Sequence, residues 1–281
     1  MKLVKFESAG QTGVGVLEEG QIVPLALTPE CDSLAAILNS PNARATVESL
    51  QRREPVALSE AQLLAPIDEQ EVWAAGVTYL RSQTARMEES ETAADCYDRV
   101  YQSERPELFM KATPHRVSGP GSPVRIRVDS NWNVPEPEVA LAVSSDLQLV
   151  GFTVGNDMSS RDIEGDNPLY LPQAKVYNQC CGLGPCVALA DSVPEPAEMT
   201  IHLVIHRDGA VVFDEQTDAG QMARSFTELI GWLGRDNSFP NGAFLLTGTG
   251  IVPDDFTLQP GDVVDIDIAG VGRLSNPVVQ G

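Results

Sequence analysis

The chain has 281 residues, with 40 acidic against 19 basic side chains, a formal net charge of −21 and a 42 % hydrophobic content. That size and apolar content suit one large globular domain, or a domain with a smaller satellite, and exclude intrinsic disorder. So acidic a surface repels phosphate backbones and anionic lipid heads, which excludes nucleic acid and membrane surfaces as partners. No apolar run approaches the ~18 residues that span a bilayer, and the opening MKLVKFESAG has no apolar signal-peptide core. The expected location is the cytoplasm. Cys180, Cys181 and Cys186 crowd together without zinc-finger spacing, and the five cysteines read as reduced, buried thiols.

Residues 1–66 read as a small N-terminal α/β module, and 67–281 as the main domain. LVKF and TGVGVLEEGQIVPLA predict short strands around a Gly-containing turn. SLAAILNS predicts a helix started by Asp32 or Ser33, and a second helical segment runs to about Arg53. LLAPIDEQEV, with its proline and polar cluster, reads as a linker. VWAAGV then predicts a buried strand, and the polar, acidic stretch Tyr79–Glu104 a helix, either a lid or a solvated surface element. Short strands follow: FMKAT, VRIRV, PEVALAV, LVGFTVGND, MTIHLVIH, AVVFDE, AFLLTG and DVVDIDI, with a helix near Phe226–Leu233 and little helix elsewhere. Such a run with Gly/Pro turns predicts a β-rich roll or sandwich with peripheral helices, not an alternating βαβ sheet.

Glu136 and Glu138 flank Pro137 in NWNVPEPEV. Pro137 favours extended geometry at Glu136, and residues two apart in a strand share a face with α-carbons roughly 6.5–7 Å apart. Two carboxylates so placed either hold a cation or lie exposed on an edge strand. Asp157, at the end of the apolar strand VGFTVGND, can reach the same ion from a second strand. Three carboxylates suit Mg2+, with Mn2+ or Ca2+ as substitutes, and leave about three of six positions open for a 2-keto acid and water. Lys175 is one of four lysines and lies among apolar or small residues in LPQAKVYNQ. Near a divalent ion it reads as a base or as a charge stabiliser at an enolate. His202 and His206 share a strand face roughly 13 Å apart, too far for a chelate.

Glu136 and Glu138, Asp157 with Arg161 in NDMSSRD, Lys175, LTGTG and LQPGDVVDIDIAGVGRLSNPV, in this order, resemble the fumarylacetoacetate hydrolase family over residues 72–281. A weaker match covers the N-terminal module. The resemblance implies an α+β, β-rich fold: a fumarylacetoacetate-hydrolase-like mixed β-roll or sandwich as catalytic domain, with the small N-terminal α/β module beside it. It further implies a homodimer or homotetramer, Mg2+ or Mn2+ on Glu136, Glu138 and Asp157, and a small keto-acid substrate. Hydrolytic and decarboxylating relatives carry a water-activating histidine where this chain has Ser82 in GVTYLRS. That departure demotes C–C hydrolysis or decarboxylation of acylpyruvates to an alternative.

GVTYLRS, RPELFMKAT, DSNWNVPEPE and VGNDMSSRDIEGDNPLYLPQAK look like the sugar-acid dehydratase branch of that family. The branch implies a hydro-lyase of pentose catabolism that converts a 2-keto-3-deoxy pentonate to 2,5-dioxopentanoate. Lys175 would take the C3 proton, and Glu107, which matches a glutamate of the branch, would protonate the leaving hydroxyl, a solvated surface glutamate being its other reading. Glu164 stands beside Arg161, either binding a substrate hydroxyl or pairing with the arginine. Arg161 itself is expected on the substrate. Thr249, in a Gly-flanked turn, is a candidate for the substrate carboxylate. Lys111 and Arg81 are further candidate anion contacts, with structural ion pairing as the other reading.

Overall fold

The computed structural model describes residues 1–79, 99–253 and 255–281. Its first strands are β1 (Lys2–Ser8), β2 (Gln11–Glu18), β3 (Gln21–Ala26), β4 (Gln51–Arg52), β5 (Val56–Ala57) and β6 (Gln62–Leu64). The β1–β2 and β2–β3 turns are two-residue loops, Ala9–Gly10 and Glu19–Gly20, with φ positive at both positions. That backbone matches the twist of the strands it joins. Helix α1 (Leu34–Leu38) starts at Ser33, whose hydroxyl accepts from the Ala36 amide at 3.1 Å. Helix α2 (Ala43–Ser49) starts at Asn42 in the same manner.

Two N-terminal expectations change. The second helix stops at Ser49, short of Arg53, because Leu50 turns to extended geometry and Arg52 pairs with Leu25 on β3. The expected linker is packed: Ile67 is buried, and Asp68 binds Lys5 at 2.5 Å and the Ala35 amide at 2.8 Å.

The chain continues through β7 (Glu71–Gly76), β8 (Glu107–Ala112), β9 (Val117–Ser118), β10 (Val124–Ile126), β11 (Asn133–Val134), β12 (Pro137–Val143), β13 (Leu149–Asp157) and β14 (Ser159–Ser160). Two short helices follow, α3 (Arg161–Asp166) and α4 (Leu171–Lys175), then β15 (Cys181–Leu189), β16 (Thr200–Arg207) and β17 (Ala210–Asp218). Helix α5 (Phe226–Leu233) precedes β18 (Ala243–Leu246), β19 (Val263–Ile268) and β20 (Gly272–Gln280). Ser225 caps α5 by accepting from the Glu228 amide at 3.1 Å, worth about 1 kcal/mol. Its buried Phe226, Leu229, Ile230 and Leu233 form one apolar stripe.

Among the described residues, the main path of the large sheet runs β4-β3-β2-β1-β15-β13-β12-β18-β7-β8. A second sheet runs β10-β20-β19-β16-β17, and β11 pairs with β14. Because β1 pairs with β15, the strands of residues 1–66 and of 67–281 share one sheet. Side chains on β12 alternate between two cores. Val139, Leu141 and Val143 face the core shared with α5 and the second sheet. Ala140 and Ala142 face the core shared with α1 and α2. The β-rich architecture expected from the run of short strands is present.

Two features were not legible as elements. β15 is a fully buried central strand that the predicted strands did not include, the glycines and proline of CGLGPCVAL being poor strand formers. Its register slips between Ala188 and Gly184 against β13, so Pro185 falls where the ladder is broken and its missing amide hydrogen costs little. Residues 161–175 carry α3 and α4 where little helix was expected. Each helix is a turn or so long and is held by tertiary contacts rather than by its own propensity.

The expected helix at 79–104 lies mostly outside the described residues. Within them, residues 99–102 are helical and Tyr79 bridges to Met222. No helix among the described residues is long and apolar enough to cross a membrane. Cys31, Cys180, Cys181 and Cys186 are free and buried.

Candidate metal centre and active site

The Asp157 amide donates to the Glu136 carbonyl at 2.9 Å, and the Glu136 amide returns a bond to the Asp157 carbonyl at 3.3 Å. This antiparallel pairing sets the two side chains beside each other, and Glu138, two residues on, shares their face. That face is the one roofed by α1 and α2 at the other end of β12. One carboxylate oxygen from each of Glu136, Glu138 and Asp157 lies within 4.8 Å of the others. All three residues are at most 2 % exposed, which removes the reading of two solvated glutamates on an edge.

Glu138 accepts from the Gly248 amide at 2.6 Å. Burial, with the neighbouring Asp157 and Glu136 charges, pushes its carboxyl well above the usual range. Three buried, mutually repelling carboxylates offering only oxygen fit a hard divalent cation of the Mg2+ type.

Cations surround this cluster. Lys175, the last residue of α4, places Nζ 2.8 Å from Glu136 Oε2, 3.3 Å from Asp157 Oδ2 and 2.6 Å from Ser159 Oγ. Arg161, the first residue of α3, donates from Nη1 to Glu136 Oε1 at 2.9 Å, and its guanidinium lies 5.9 Å from the Trp132 ring centre. Glu164 is buried between them, Oε2 being 3.9 Å from Lys175 Nζ and 4.0 Å from Arg161 Nη1. The cavity over the carboxylates is also lined by Gly76, Val77, Phe109, Gly248 and Thr249. Val77 holds φ of 53° there, a left-handed conformation that strains a β-branched residue.

Glu107 begins β8 opposite Gly76. A Cβ on Gly76 would stand 1.9 Å from Glu107 Oε2. The missing side chain therefore makes room for the glutamate against the wall of the carboxylate cavity. Glu107 and Glu164 both line an adjoining cavity with Leu108, Pro168 and Leu171.

Two expected substrate contacts are differently engaged. Thr249 directs its hydroxyl proton to the Ile251 carbonyl at 3.0 Å and accepts from the Ile251 amide at 3.1 Å, so the hydroxyl closes its own turn. Lys111 does not face the cavity as an anion contact. Its ammonium group donates to Met158 O at 2.9 Å and Lys175 O at 2.5 Å, and lies 2.5 Å from Asp157 Oδ1. Arg81 and Ser82 lie outside the described residues. Half-exposed His202 and His206 pair with Asp214 and Asp265 at 2.7 Å and 3.4 Å on the second sheet, away from the cluster.

Ser159 was missed by the sequence reasoning. It sits two residues beyond Asp157, on β14, and that spacing was the available signal.

Known proteins resemble this chain over the same elements. The family profile described as "Fumarylacetoacetate (FAA) hydrolase C-terminal" matches residues 71–279. A Haloferax volcanii protein named "Probable 2-keto-3-deoxyxylonate dehydratase" is 51 % identical over 214 residues, 76 % of this chain and 73 % of that one. The 2-dehydro-3-deoxy-D-arabinonate dehydratase of Saccharolobus solfataricus is 40 % identical over 225 residues, 79 % of this chain and 76 % of its own. A solved structure of 2-keto-3-deoxy-D-arabinonate dehydratase complexed with magnesium and 2,5-dioxopentanoate superposes with a TM-score of 0.86 at 33 % identity, covering 100 % of this chain and 99 % of that one.

Proposed function

The chain belongs to the fumarylacetoacetate hydrolase family, and from that premise we propose that it is a magnesium-dependent dehydratase converting a 2-keto-3-deoxy pentonate to 2,5-dioxopentanoate. The observation that carries this reading is the convergence of Glu136, Glu138 and Asp157 on one buried point with Lys175 Nζ in hydrogen-bond reach of two of them. The names of the dehydratase relatives and the magnesium and 2,5-dioxopentanoate of the solved neighbour support the substrate class.

Glu136, Glu138 and Asp157 would hold the ion. Bound there, Mg2+ supplies Lewis-acid polarisation of the 2-keto group and so acidifies the C3 protons. Lys175 would remove a C3 proton, with Ser159 Oγ orienting its amine. Glu107, seated over Gly76, would give a proton to the C4 hydroxyl, which leaves as water. Loss of a proton from C5 and its return at C3 would turn the resulting enone into an enol, and transfer of that enol's hydroxyl proton to C4 would give the aldehyde. Arg161 would meet the substrate's negative charge. Glu164, between Arg161 and the adjoining cavity, would pair with the arginine and meet a distal hydroxyl. Thr249 would contribute through its turn once the Ile251 bond opens.

The same reading includes a homodimer or homotetramer in the cytoplasm, supported by the family resemblance and the free buried thiols; light scattering tests the assembly. The activity is tested by incubating the protein with Mg2+ and a stereoisomer panel of 2-keto-3-deoxy pentonates beside acylpyruvates. Aldehyde formed only from the deoxy sugar acids is the expected result. Pyruvate released from acylpyruvates would instead make it a C–C hydrolase.

A further inference from the structure

Lys111 has no partner across the β7–β8 pair. Trp73 faces Met110 and Val72 faces Ala112, so the ladder steps over it. A bulge of this kind bends its strand and re-aims a side chain. Here the bulge accompanies a Lys111 side chain that is 0 % exposed in the interior. The Cys180 thiol donates to the Lys111 carbonyl at 3.6 Å, giving the bulged peptide a partner.

The ammonium group has three N–H donors. Met158 O at 2.9 Å and Lys175 O at 2.5 Å accept from it, and Asp157 Oδ1 forms an ion pair with it at 2.5 Å. The Tyr177 ring centre lies 5.8 Å away. The fully buried group is turned to the protein and not to a ligand. The acceptors, however, belong to both halves of the chemistry: Asp157 at the end of β13, and the backbone of Lys175 at the end of α4.

A lone aspartate carboxylate swings about its side-chain torsions. With Oδ1 fixed by Lys111, Oδ2 is the oxygen turned toward Lys175 Nζ, at 3.3 Å. We propose that Lys111 is a positioning residue, which locks Asp157 in the orientation that presents a ligand oxygen and ties that ligand to the helix turn carrying Lys175. This rests on the metal-dependent reading given above. Partners that orient a ligand from behind are worth about 10–100-fold in metal affinity. Charge alone predicts the opposite sign, because deleting a cation beside a ligand makes the carboxylate more attractive to Mg2+.

The test is titration calorimetry of Mg2+ into the full chain and into its Lys111→Met and Lys111→Gln variants, with circular dichroism to verify folding. Lys111→Met should bind Mg2+ about 10–100-fold more weakly than wild type. Lys111→Gln, equally uncharged but still an N–H donor, should recover part of that loss. Wild-type or tighter affinity in Lys111→Met would overturn the proposal. So would failure of both variants to fold, which would make Lys111 a lock on the fold rather than on the ligand. A wild type that binds no Mg2+ would overturn the metal reading itself, and this proposal with it.

Discussion

Lys175 Nζ lies 2.8 Å from Glu136 Oε2, so the proposed base neutralises one of the proposed metal ligands within the same buried site. The lysine and a divalent ion compete for the same carboxylate lobes. Lys175→Met should therefore keep or tighten Mg2+ binding while turnover falls about 10²–10⁴-fold, the usual worth of a positioned base. Calorimetry and steady-state rates separate the two effects. A retained rate would remove Lys175 as the base. The contrast with Lys111 is informative, since Lys111 occupies the other oxygen of Asp157 and its loss is expected to weaken binding.

Glu138 offers a substitution that mimics the protonated form its burial favours. Its carboxyl is pushed up by burial and by Asp157 and Glu136, so glutamine resembles the protonated acid and still accepts from the Gly248 amide. Glu138→Gln should leave the metal-free melting temperature within a few degrees of wild type, a change of about 1 kcal/mol or less. Mg2+-dependent turnover should be lost. Undiminished turnover would remove Glu138 from the metal set.

The same group sets a pH dependence. Its folded, metal-free pKa is raised above the ordinary value of 4.5, so the folded chain holds this proton where the unfolded chain has released it. The group's contribution to metal-free stability is complete below about pH 4.5 and is lost as pH rises through the raised value. Ion binding needs the carboxylate, so Mg2+ affinity moves the other way and climbs over that interval. The Mg2+-induced rise in melting temperature should be larger at about pH 8 than at about pH 5. A rise independent of pH would contradict the assignment.

Gly76→Ala tests Glu107 without touching it. The added methyl would stand 1.9 Å from Glu107 Oε2, so the carboxylate must move. If Glu107 protonates the leaving hydroxyl, kcat should drop about 10²–10⁴-fold with Mg2+ affinity unchanged. Wild-type kcat in a folded Gly76→Ala protein would exclude that role.

The strands that carry the site were legible because they run apolar between turn residues, as β12 and β13 do. Glu136, Glu138, Asp157 and Lys175 were legible because carboxylates in an extended stretch and a lysine among small residues are chemically conspicuous. β15 was not, since its glycines and proline signal a turn and only the register slip against β13 makes room for Pro185. The role of Lys111 was also hidden: FMKAT reads as an ordinary strand, and nothing local states that the ladder will skip its lysine. Helices α3 and α4 were obscured by their brevity, although they bring Arg161, Glu164 and Lys175 together.

The pairing of Leu3 with Val187 has a consequence for anyone who would engineer this chain. β15 lies between β1 and β13, and β13 ends in Asp157. The N-terminal segment is thus a hydrogen-bonding partner two strands from a proposed ligand, not a detachable cassette. Deleting it would strip β15 of a neighbour and open a central strand as a free edge, inviting another chain to pair there. Exchanging it with that of a relative should succeed only when the donor supplies an antiparallel strand in matching register.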